Sequence, residues 1–310
     1  MLYIGIDGGG THSSAVAVRP DGRILSRAAG PGLNYLNIGL EACLARFSAL
    51  IRPLLPADPD ESVVICAGLA ALDGPAAPDI LEAFRSAVPS GVRLLLNSDL
   101  AVALAGLTRG EPGLMAVCGT GSMTLVRSAS GEERVAGGWG WKLGDPGSGY
   151  SLAREGLSHA LFRLETEGIE TPLLAAARTY FSLEDPRALA NSFYASEAGP
   201  DALAAFGAEV VHLAEQGDPE ALEILTRQMD QFSALSAALL QAVPEARAHV
   251  GLYGGVFQHS ALARSLFSRA LWNRCPDTFP VLPDHPPALG AVILAMLQEG
   301  IASDLPYFTE

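Results

Sequence analysis

A short pattern occurs twice in this sequence, and each copy joins an apolar extended run to a glycine-rich turn and a second extended run. The first turn lies at residues 8–11 and the second at residues 119–122. Each copy then continues into a hairpin turn signal. Repetition of one supersecondary unit predicts a duplicated domain with a cleft between the copies. Displacement by 111 positions superposes Gly8 on Gly119, Gly10 on Gly121 and Thr11 on Ser122.

The rest of the sequence alternates between strand and helix patterns. Short apolar runs predict strands at residues 62–66 and 92–96, and apolar residues at helical spacing predict helices at 41–55 and 78–88. A final apolar helix is predicted over residues 288–298. Strands that alternate with helices predict an α/β architecture.

The composition restricts the partners of this chain. Its formal net charge is −14, which disfavours binding to nucleic acid or to an anionic membrane surface. No apolar stretch approaches the roughly 20 residues of a membrane span, and the N-terminus lacks signal-peptide features. The four cysteines are widely spaced, which favours reduced thiols in the cytoplasm. We therefore expect a cytoplasmic protein that binds neither nucleic acid nor membranes.

The two glycine-rich turns are candidate phosphate sites. Glycine next to a strand end lets the backbone approach a phosphate closely and direct several N–H groups at it. Neither turn has Walker A or dinucleotide-binding spacing, and a tight hairpin alone would also explain triple glycine. Because the turns occupy equivalent places and each is followed by a hydroxyl, phosphate binding is favoured. Asp7 precedes the first turn and could hold the Mg²⁺ of ATP through water.

Asp99 follows an apolar strand, in the segment Asn97-Ser98-Asp99, and opens a predicted helix. One interpretation is an N-cap, which stabilises a helix by about 1 kcal/mol. The other is a general base that accepts the proton of an attacking hydroxyl at the carboxyl end of a strand. Position alone favours the cap, and the two interpretations are compatible.

Two further glycine-rich segments are candidates for ligand binding. Residues 137–149 contain six glycines, and their Trp139 and Asp145 supply the aromatic face and the carboxylate that bind sugars. The alternative for this segment is a core tryptophan in a glycine-rich turn. Gly254 and Gly255 follow a predicted strand and could lie against an adenine ring, although this segment taken alone favours an ordinary strand–helix turn.

Five motifs occur in a fixed order along the chain. They are Asp7-Gly-Gly-Gly-Thr11, Asn97-Ser-Asp99, Cys118-Gly-Thr-Gly-Ser122, Gly138-Trp-Gly140 with Gly144-Asp145, and Leu252-Tyr-Gly-Gly-Val-Phe257. Together they resemble the BadF/BadG/BcrA/BcrD-type ATPase family, which includes N-acetylglucosamine kinases and bacterial glucosamine kinases. The resemblance runs from Leu2 to about Leu297.

The resemblance implies an α/β fold of two ribonuclease-H-like (actin-like ATPase) domains, with ATP and Mg²⁺ in the interlobe cleft. Residues 1–109 and 286–310 would form the N-terminal lobe, and residues 110–285 would form the C-terminal lobe. The residues implied to bind ATP are Gly9, Gly10, Thr11, Thr120, Gly121, Ala214, Gly254 and Gly255.

The implied reaction is phosphorylation of an amino sugar, N-acetylglucosamine or glucosamine, at its 6-hydroxyl by ATP, with Asp99 as the base. Pro146 stands where relatives often have an acid, and Asn34 is followed by Tyr35 and Leu36, so the choice of amino sugar stays open. A homodimer is possible by analogy. The residues implied to surround the sugar are Asn34, Asp99, Ser122, Gly138, Trp139 and Asp145.

Two alternative functions stay open. One is an activating ATPase for a radical dehydratase or reductase. Such relatives bridge a dimer with an iron–sulfur cluster held by cysteines, and this sequence lacks a suitable cysteine pair. The other is a sugar-sensing protein without catalysis, and the presence of Asp7 and Asp99 argues against it.

Overall fold

Two compact units make up the chain. The first is Met1–Pro112 with Pro283–Glu310, and the second is Gly113–Leu282. The first unit is therefore discontinuous in sequence. The computed structural model describes residues 1–72, 76–183, 185–188, 191, 200–301 and 306–309.

A mixed sheet forms the centre of the first unit, and its strands are β1 (Leu2–Gly8), β2 (His12–Val18), β3 (Ile24–Pro31), β4 (Val63–Leu69) and β5 (Arg93–Ser98). They lie in the order β3-β2-β1-β4-β5, so β1 is central. Strand β1 pairs antiparallel with β2 and parallel with β4. Both β1 and β4 are buried along almost their whole length, as expected for a sheet covered on both faces.

The helices that follow these strands are α1 (Tyr35–Ile38), α2 (Leu40–Ile51), α3 (Pro78–Ser86) and α4 (Asp99–Thr108). A 3₁₀ turn at Arg52–Leu54 extends α2. Phe47 of α2 packs edge-on against Phe84 of α3, with ring centroids 5.1 Å apart. Helix α4 is buried on nearly every side, which agrees with its uniformly apolar sequence.

The second unit combines a smaller sheet with a larger set of helices. The sheet contains β6 (Gly113–Cys118), β7 (Ser122–Arg127), β8 (Glu133–Gly137) and β9 (Val250–Tyr253), in the order β8-β7-β6-β9. A 3₁₀ turn at Pro244–Ala248 leads into β9. The helices are α5 (Gly149–Glu167), α6 (Pro172–Phe181), α7 (Pro200–Glu215), α8 (Pro219–Ala242), α9 (Gly255–His259) and α10 (Ala261–Arg274).

Close packing of two glycines fixes the start of helix α5. A Cβ atom at Gly149 would lie 2.6 Å from the carbonyl oxygen of Ala204, and one at Gly207 would lie 2.3 Å from the carbonyl oxygen of Gly149. Helix α7 therefore lies directly on the first turn of α5. The backbone N–H of Gly149 donates to the carbonyl of Gly119 at 2.8 Å, so this packing also holds the β6–β7 turn.

The two sheets repeat one topology, which confirms the predicted α/β fold class. In each sheet the first strand pairs antiparallel with the second and parallel with a later strand. A parallel bridge from Gly251 to Val281 adds a further pairing beside β9, where the first sheet has β5.

The predicted equivalence of Thr11 with Ser122 is wrong. The first turn separates the paired residues Gly8 and Ser13, whereas the shorter second turn separates Cys118 and Ser122. Because the turns differ in length, one displacement cannot hold on both sides of them. Ser13 and Ser122 are the residues that occupy the same position in their ladders.

Helix α11 (Pro287–Gln298) completes the first unit, and the predicted helix over residues 288–298 is confirmed. It lies against α4 and β1 at very short range. A Cβ atom at Gly290 would lie 1.8 Å from the carbonyl oxygen of Val102, and one at Gly5 would lie 2.0 Å from that of Ala288. Within the described part of the chain, no helix is both long and apolar enough to cross a membrane.

Candidate active site

The glycine turn after β1 has its carbonyl groups engaged and its amides available. The carbonyl of Gly9 accepts from the N–H of Leu33 at 3.0 Å, and that of Thr11 accepts from the N–H of Gly32 at 2.9 Å. Among the described residues, no acceptor pairs with the N–H groups of Gly9, Gly10 or Thr11. A turn that offers N–H groups beside a strand end is a site that binds anions such as phosphate.

The turn after β6 has the same property. The carbonyls of Gly119 and Thr120 accept from the N–H groups of Gly149 and Tyr150, at 2.8 and 3.4 Å. The N–H of Gly119 is used within the turn, on the carbonyl of Gly121 at 2.9 Å. The N–H groups of Thr120 and Gly121 have no acceptor in the part of the chain that the structure describes. The second unit therefore also presents an anion-binding turn.

Three glycines are not explained by the fold. At Gly10, Gly119 and Gly255 the backbone φ is one that any residue adopts, and an added Cβ atom would meet no atom within 4 Å. Twenty-six other glycines in the described ranges have either a positive φ or a neighbour at that distance. One unexplained glycine lies in each of the three glycine turns noted in the sequence. Since glycine also permits close approach of a ligand to the backbone, this distribution indicates ligand sites.

Gly119 is a further candidate site residue, beyond those that the family resemblance implied, whereas the predicted Gly121 also has a packing role. A Cβ atom at Gly121 would lie 2.8 Å from Oδ2 of Asp145. The sequence pattern marks both glycines equally, and only the coordinates separate the two roles.

Two carboxylates of the first unit influence each other at the ends of β1 and β5. Burial, with a smaller contribution from the negative charge of Asp99, raises the pKa of Asp7 from its ordinary value of 3.8 to about 7. A divalent cation would stabilise the ionised pair, so these residues fit the Mg²⁺ that accompanies ATP.

The N-cap interpretation of Asp99 is wrong, because Ser98 caps helix α4. The Oγ atom of Ser98 accepts from the N–H of Ala101 at 3.1 Å, and Asp99 is the first residue inside the helix. The N-cap position is therefore held by Ser98 and not by Asp99. The position at the carboxyl end of β5, half-buried and close enough to affect Asp7, suits a general base.

Asp145 has the features of a ligand-binding carboxylate. Its side chain is 5% exposed, and its Oδ1 atom has no hydrogen-bond partner among the described residues. Burial raises the pKa of Asp145, and hydrogen bonds from the N–H groups of Gly140 and Ser122 oppose that rise. A buried oxygen without a partner is costly unless something binds it. A hydroxyl group of a ligand would supply that partner.

Trp139 is 76% exposed, so the alternative of a core tryptophan is wrong for this residue. Trp141 is the residue that packs inward, with its ring 4.9 Å from that of Tyr150. Gly138 precedes Trp139 in a left-handed conformation, with φ 70°. The exposed indole is available to stack on a flat apolar surface.

Two predicted sugar-binding residues have internal partners. The Oδ1 atom of Asn34 accepts from the N–H of Leu36 at 3.0 Å and caps helix α1. The buried hydroxyl of Ser122 donates to the carbonyl of Pro146 at 2.8 Å. The Ser122 hydroxyl therefore fixes the loop that carries Asp145.

The side chain of Ala214 has a packing role. It is 3% exposed and belongs to the hydrophobic core of the second unit. Phe206 and Val210 lie eight and four residues earlier on the same buried face of helix α7. Helical spacing therefore directs this methyl group into the core, and contact of Ala214 with the nucleotide stays a prediction.

The third glycine turn lies against the second. Gly254 has φ 94°, and a Cβ atom there would lie 2.5 Å from the carbonyl oxygen of Cys118. Gly255 starts helix α9 and is exposed. The two neighbouring glycines are therefore required for different reasons: the fold needs Gly254, and only a ligand would need Gly255.

Substitution of these two glycines by alanine tests that difference. We expect Gly254→Ala to lower the free energy of unfolding by roughly 3 kcal/mol, because it combines a positive φ with a backbone collision. The matched control Gly255→Ala should change it by less than about 1 kcal/mol. Urea unfolding measures both, and equal losses would contradict the assignment.

Asp7→Asn is expected to stabilise the protein at pH 8 but not at pH 4. Because the folded pKa is about 7 and the ordinary value is 3.8, folded Asp7 keeps a proton that the unfolded chain has released. The stability that protonated Asp7 provides below pH 3.8 is therefore lost as the pH rises through about 7. Partial exposure limits the gain at pH 8 to on the order of 2 kcal/mol.

Calorimetric unfolding at both pH values measures this effect. The control is Asp60→Asn, at an exposed carboxylate. A stabilisation of equal size at pH 4 and pH 8 would show that the charge of Asp7 is not its cause.

The sequence matches known proteins along most of its length. The family model for the BadF/BadG/BcrA/BcrD ATPase family matches residues 4–295. The chain is 25% identical over 311 residues to an N-acetyl-D-glucosamine kinase from Dictyostelium discoideum, covering 95% of this chain and 98% of that protein. It is 26% identical over 301 residues to an N-acetylmuramic acid/N-acetylglucosamine kinase from Clostridium acetobutylicum, with the same coverage of 95% and 98%.

The fold also has solved relatives. The crystal structure of a candidate N-acetylglucosamine kinase from Chromobacterium violaceum superposes with a TM-score of 0.76 at 28% identity, covering 95% of this chain and 98% of that one. The predicted duplicated ribonuclease-H-like fold is thereby confirmed, as is the family resemblance read from the five motifs. The chain belongs to the BadF/BadG/BcrA/BcrD ATPase family.

Proposed function

We propose that this protein is an ATP-dependent kinase that phosphorylates an amino sugar, N-acetylglucosamine or glucosamine, at its 6-hydroxyl. The observation that carries the proposal is the set of three glycines that the fold does not require, Gly10, Gly119 and Gly255. Available backbone N–H groups lie beside Gly10 and Gly119, as phosphate binding requires. The names of the curated relatives supply the substrate class.

In this proposal, backbone N–H groups bind the phosphates of ATP. These N–H groups belong to Gly9, Gly10, Thr11, Thr120 and Gly121. Gly254 and Gly255 border the nucleoside. Asp7 holds the Mg²⁺ that arrives with ATP, through water, and the ionised carboxylate that this requires is favoured by the cation itself.

The acceptor sugar is bound by side chains that the sequence motifs mark. Asp145 accepts a sugar hydroxyl at its unpaired Oδ1, and Trp139 stacks on the apolar face of the ring beside Gly138. Asn34 and Ser122 complete the sugar site. Asp99 accepts the proton of the 6-hydroxyl while the sugar oxygen bonds to the γ-phosphorus of ATP. The bond between that phosphorus and the β-phosphate oxygen breaks, which releases ADP.

The activating-ATPase alternative has less support. Its relatives need cysteines that hold a shared cluster, and all four cysteines of this chain are buried. Burial raises the pKa of Cys118 and raises that of Cys43 to about 11, which disfavours the thiolates that ligate metal. The homodimer stays a prediction.

Release of ADP over a panel of acceptors tests the proposed function. The panel contains glucosamine, N-acetylglucosamine, N-acetylmuramic acid and glucose, with Mg²⁺ and ATP supplied. We expect turnover with at least one amino sugar, and phosphorus–proton correlation spectroscopy of the product should place the phosphate on the 6-oxygen. ADP release that no acceptor stimulates would contradict the proposal.

Asp99→Asn is expected to lower kcat by about 10² to 10⁴ while leaving the Kd for ATP within twofold, because the amide cannot accept the proton. Steady-state kinetics and calorimetric titration measure the two quantities. Asp79→Asn is the matched control, since Asp79 is an exposed acid in the first turn of helix α3. Similar losses in both variants would indicate a helix-terminus effect and remove Asp99 from its role.

A further inference from the structure

The segment Asp145-Pro146-Gly147 adopts a backbone conformation that must be held from outside. Asp145 has φ 61° and Gly147 has φ 84°, so left-handed residues flank the proline. For a residue other than glycine, such a conformation costs on the order of 1 kcal/mol or more. It persists where surrounding contacts determine it.

Three side chains from the strand ends and helix α5 bind the carbonyls of this segment. The hydroxyl of Ser151 donates to the carbonyl of Asp145 at 2.8 Å. The hydroxyl of Ser122 donates to that of Pro146 at 2.8 Å, and the thiol of Cys118 to that of Gly147 at 3.0 Å. All three donors are buried, so water does not compete for these bonds.

The N–H of Gly147 is bound by a residue far away in the sequence. It donates to Oε1 of Gln228 on helix α8 at 2.7 Å, and Gln228 is 3% exposed. The neighbouring positions of that buried face are apolar, including Leu225, Met229 and Phe232. Packing alone would favour an apolar residue at position 228, because a buried amide needs hydrogen bonds to offset its loss of water.

From Asp145 the hydrogen bonds continue to the turn that carries Trp139. The carboxylate of Asp145 accepts from the N–H of Gly140. The carbonyl of Gly140 accepts in turn from the N–H groups of Leu143 and Gly144, at 3.1 and 2.9 Å. The conformation of residues 138–144 is therefore linked through Asp145 to its anchor on helix α8.

We propose that Gln228 is a positioning residue for acceptor binding: its amide oxygen fixes Gly147, and through it the carboxylate of Asp145 and the turn that presents Trp139. This inference rests on the proposed function, in which Asp145 and Trp139 bind the sugar. Gln228 itself lies inside the core of the second unit and touches no reacting atom.

The kinetic test replaces the amide by a side chain of similar length. In Gln228→Met the acceptor oxygen is lost, and we expect KM for the amino sugar to rise at least tenfold while KM for ATP stays within twofold. Gln228→Glu retains an acceptor oxygen and should recover most of the loss. Ser233→Ala is the control, because Ser233 is buried on the same helix and its hydroxyl bonds elsewhere: it donates to the carbonyl of Asp230 and accepts from the guanidinium of Arg274.

A second measurement does not depend on catalysis. Lys142 is the single lysine of the chain, and it is exposed within the loop, three residues before Asp145. A protease specific for lysine therefore cuts the native protein at one place. We expect Gln228→Met to speed this cleavage at least fivefold at a temperature well below its Tm, whereas Ser233→Ala and Gln228→Glu should not.

The two measurements separate the inference from the function on which it rests. Faster cleavage at Lys142 supports the anchor even if no amino sugar is phosphorylated. Wild-type cleavage and a wild-type KM for the sugar in a folded Gln228→Met variant would overturn the inference while leaving the kinase activity intact. A Gln228→Glu variant as impaired as Gln228→Met would also overturn it, because the acceptor oxygen would then be irrelevant.

Discussion

The hydrogen bonds that engage backbone carbonyls at two glycine turns are the constraint on which the rest of this structure depends. At each turn the carbonyls accept from a neighbouring segment, and the amides are left for a ligand. The bonds from Gly32 and Leu33 do this in the first unit, and those from Gly149 and Tyr150 do so in the second. The same arrangement recurs because each turn follows an inner strand of its sheet, where segments lie close enough to supply donors.

Much of the fold could be predicted from sequence, because strand and helix patterns depend on local spacing. The duplicated strand–turn–strand units, the apolar helix α4 and the final helix all correspond to their sequence patterns. The error in matching Thr11 with Ser122 arose because the two turns differ in length. A change in turn length shifts the register of the following strand, and local residue spacing does not reveal it. Ser98, which lies one residue before Asp99, shows the same limit at a helix start.

The site was predictable where glycine or acid patterns mark it, and not where tertiary contacts create it. Gln228 lies 81 residues from Gly147 in the sequence, and nothing in its neighbourhood separates it from an ordinary polar residue. The side chain of Ala214 lies in the core although a polar loop follows it in the sequence, so its burial is likewise set by tertiary packing. The charge of Asp99 likewise affects Asp7 because β1 and β5 lie close in the sheet, with only β4 between them. The sequence alone does not give this strand order.

The discontinuity of the first unit has a consequence for synthesis on the ribosome. One face of its sheet is covered by helix α11, whose Gly290 lies against Val102. While the chain is being translated, that face lacks helix α11 until residues 287–298 leave the exit tunnel. Domains usually become folded in the order in which they emerge. Here the later-made unit, Gly113–Leu282, can complete its core before the earlier one, so nascent chains expose the apolar face of β1 and β4 to chaperones.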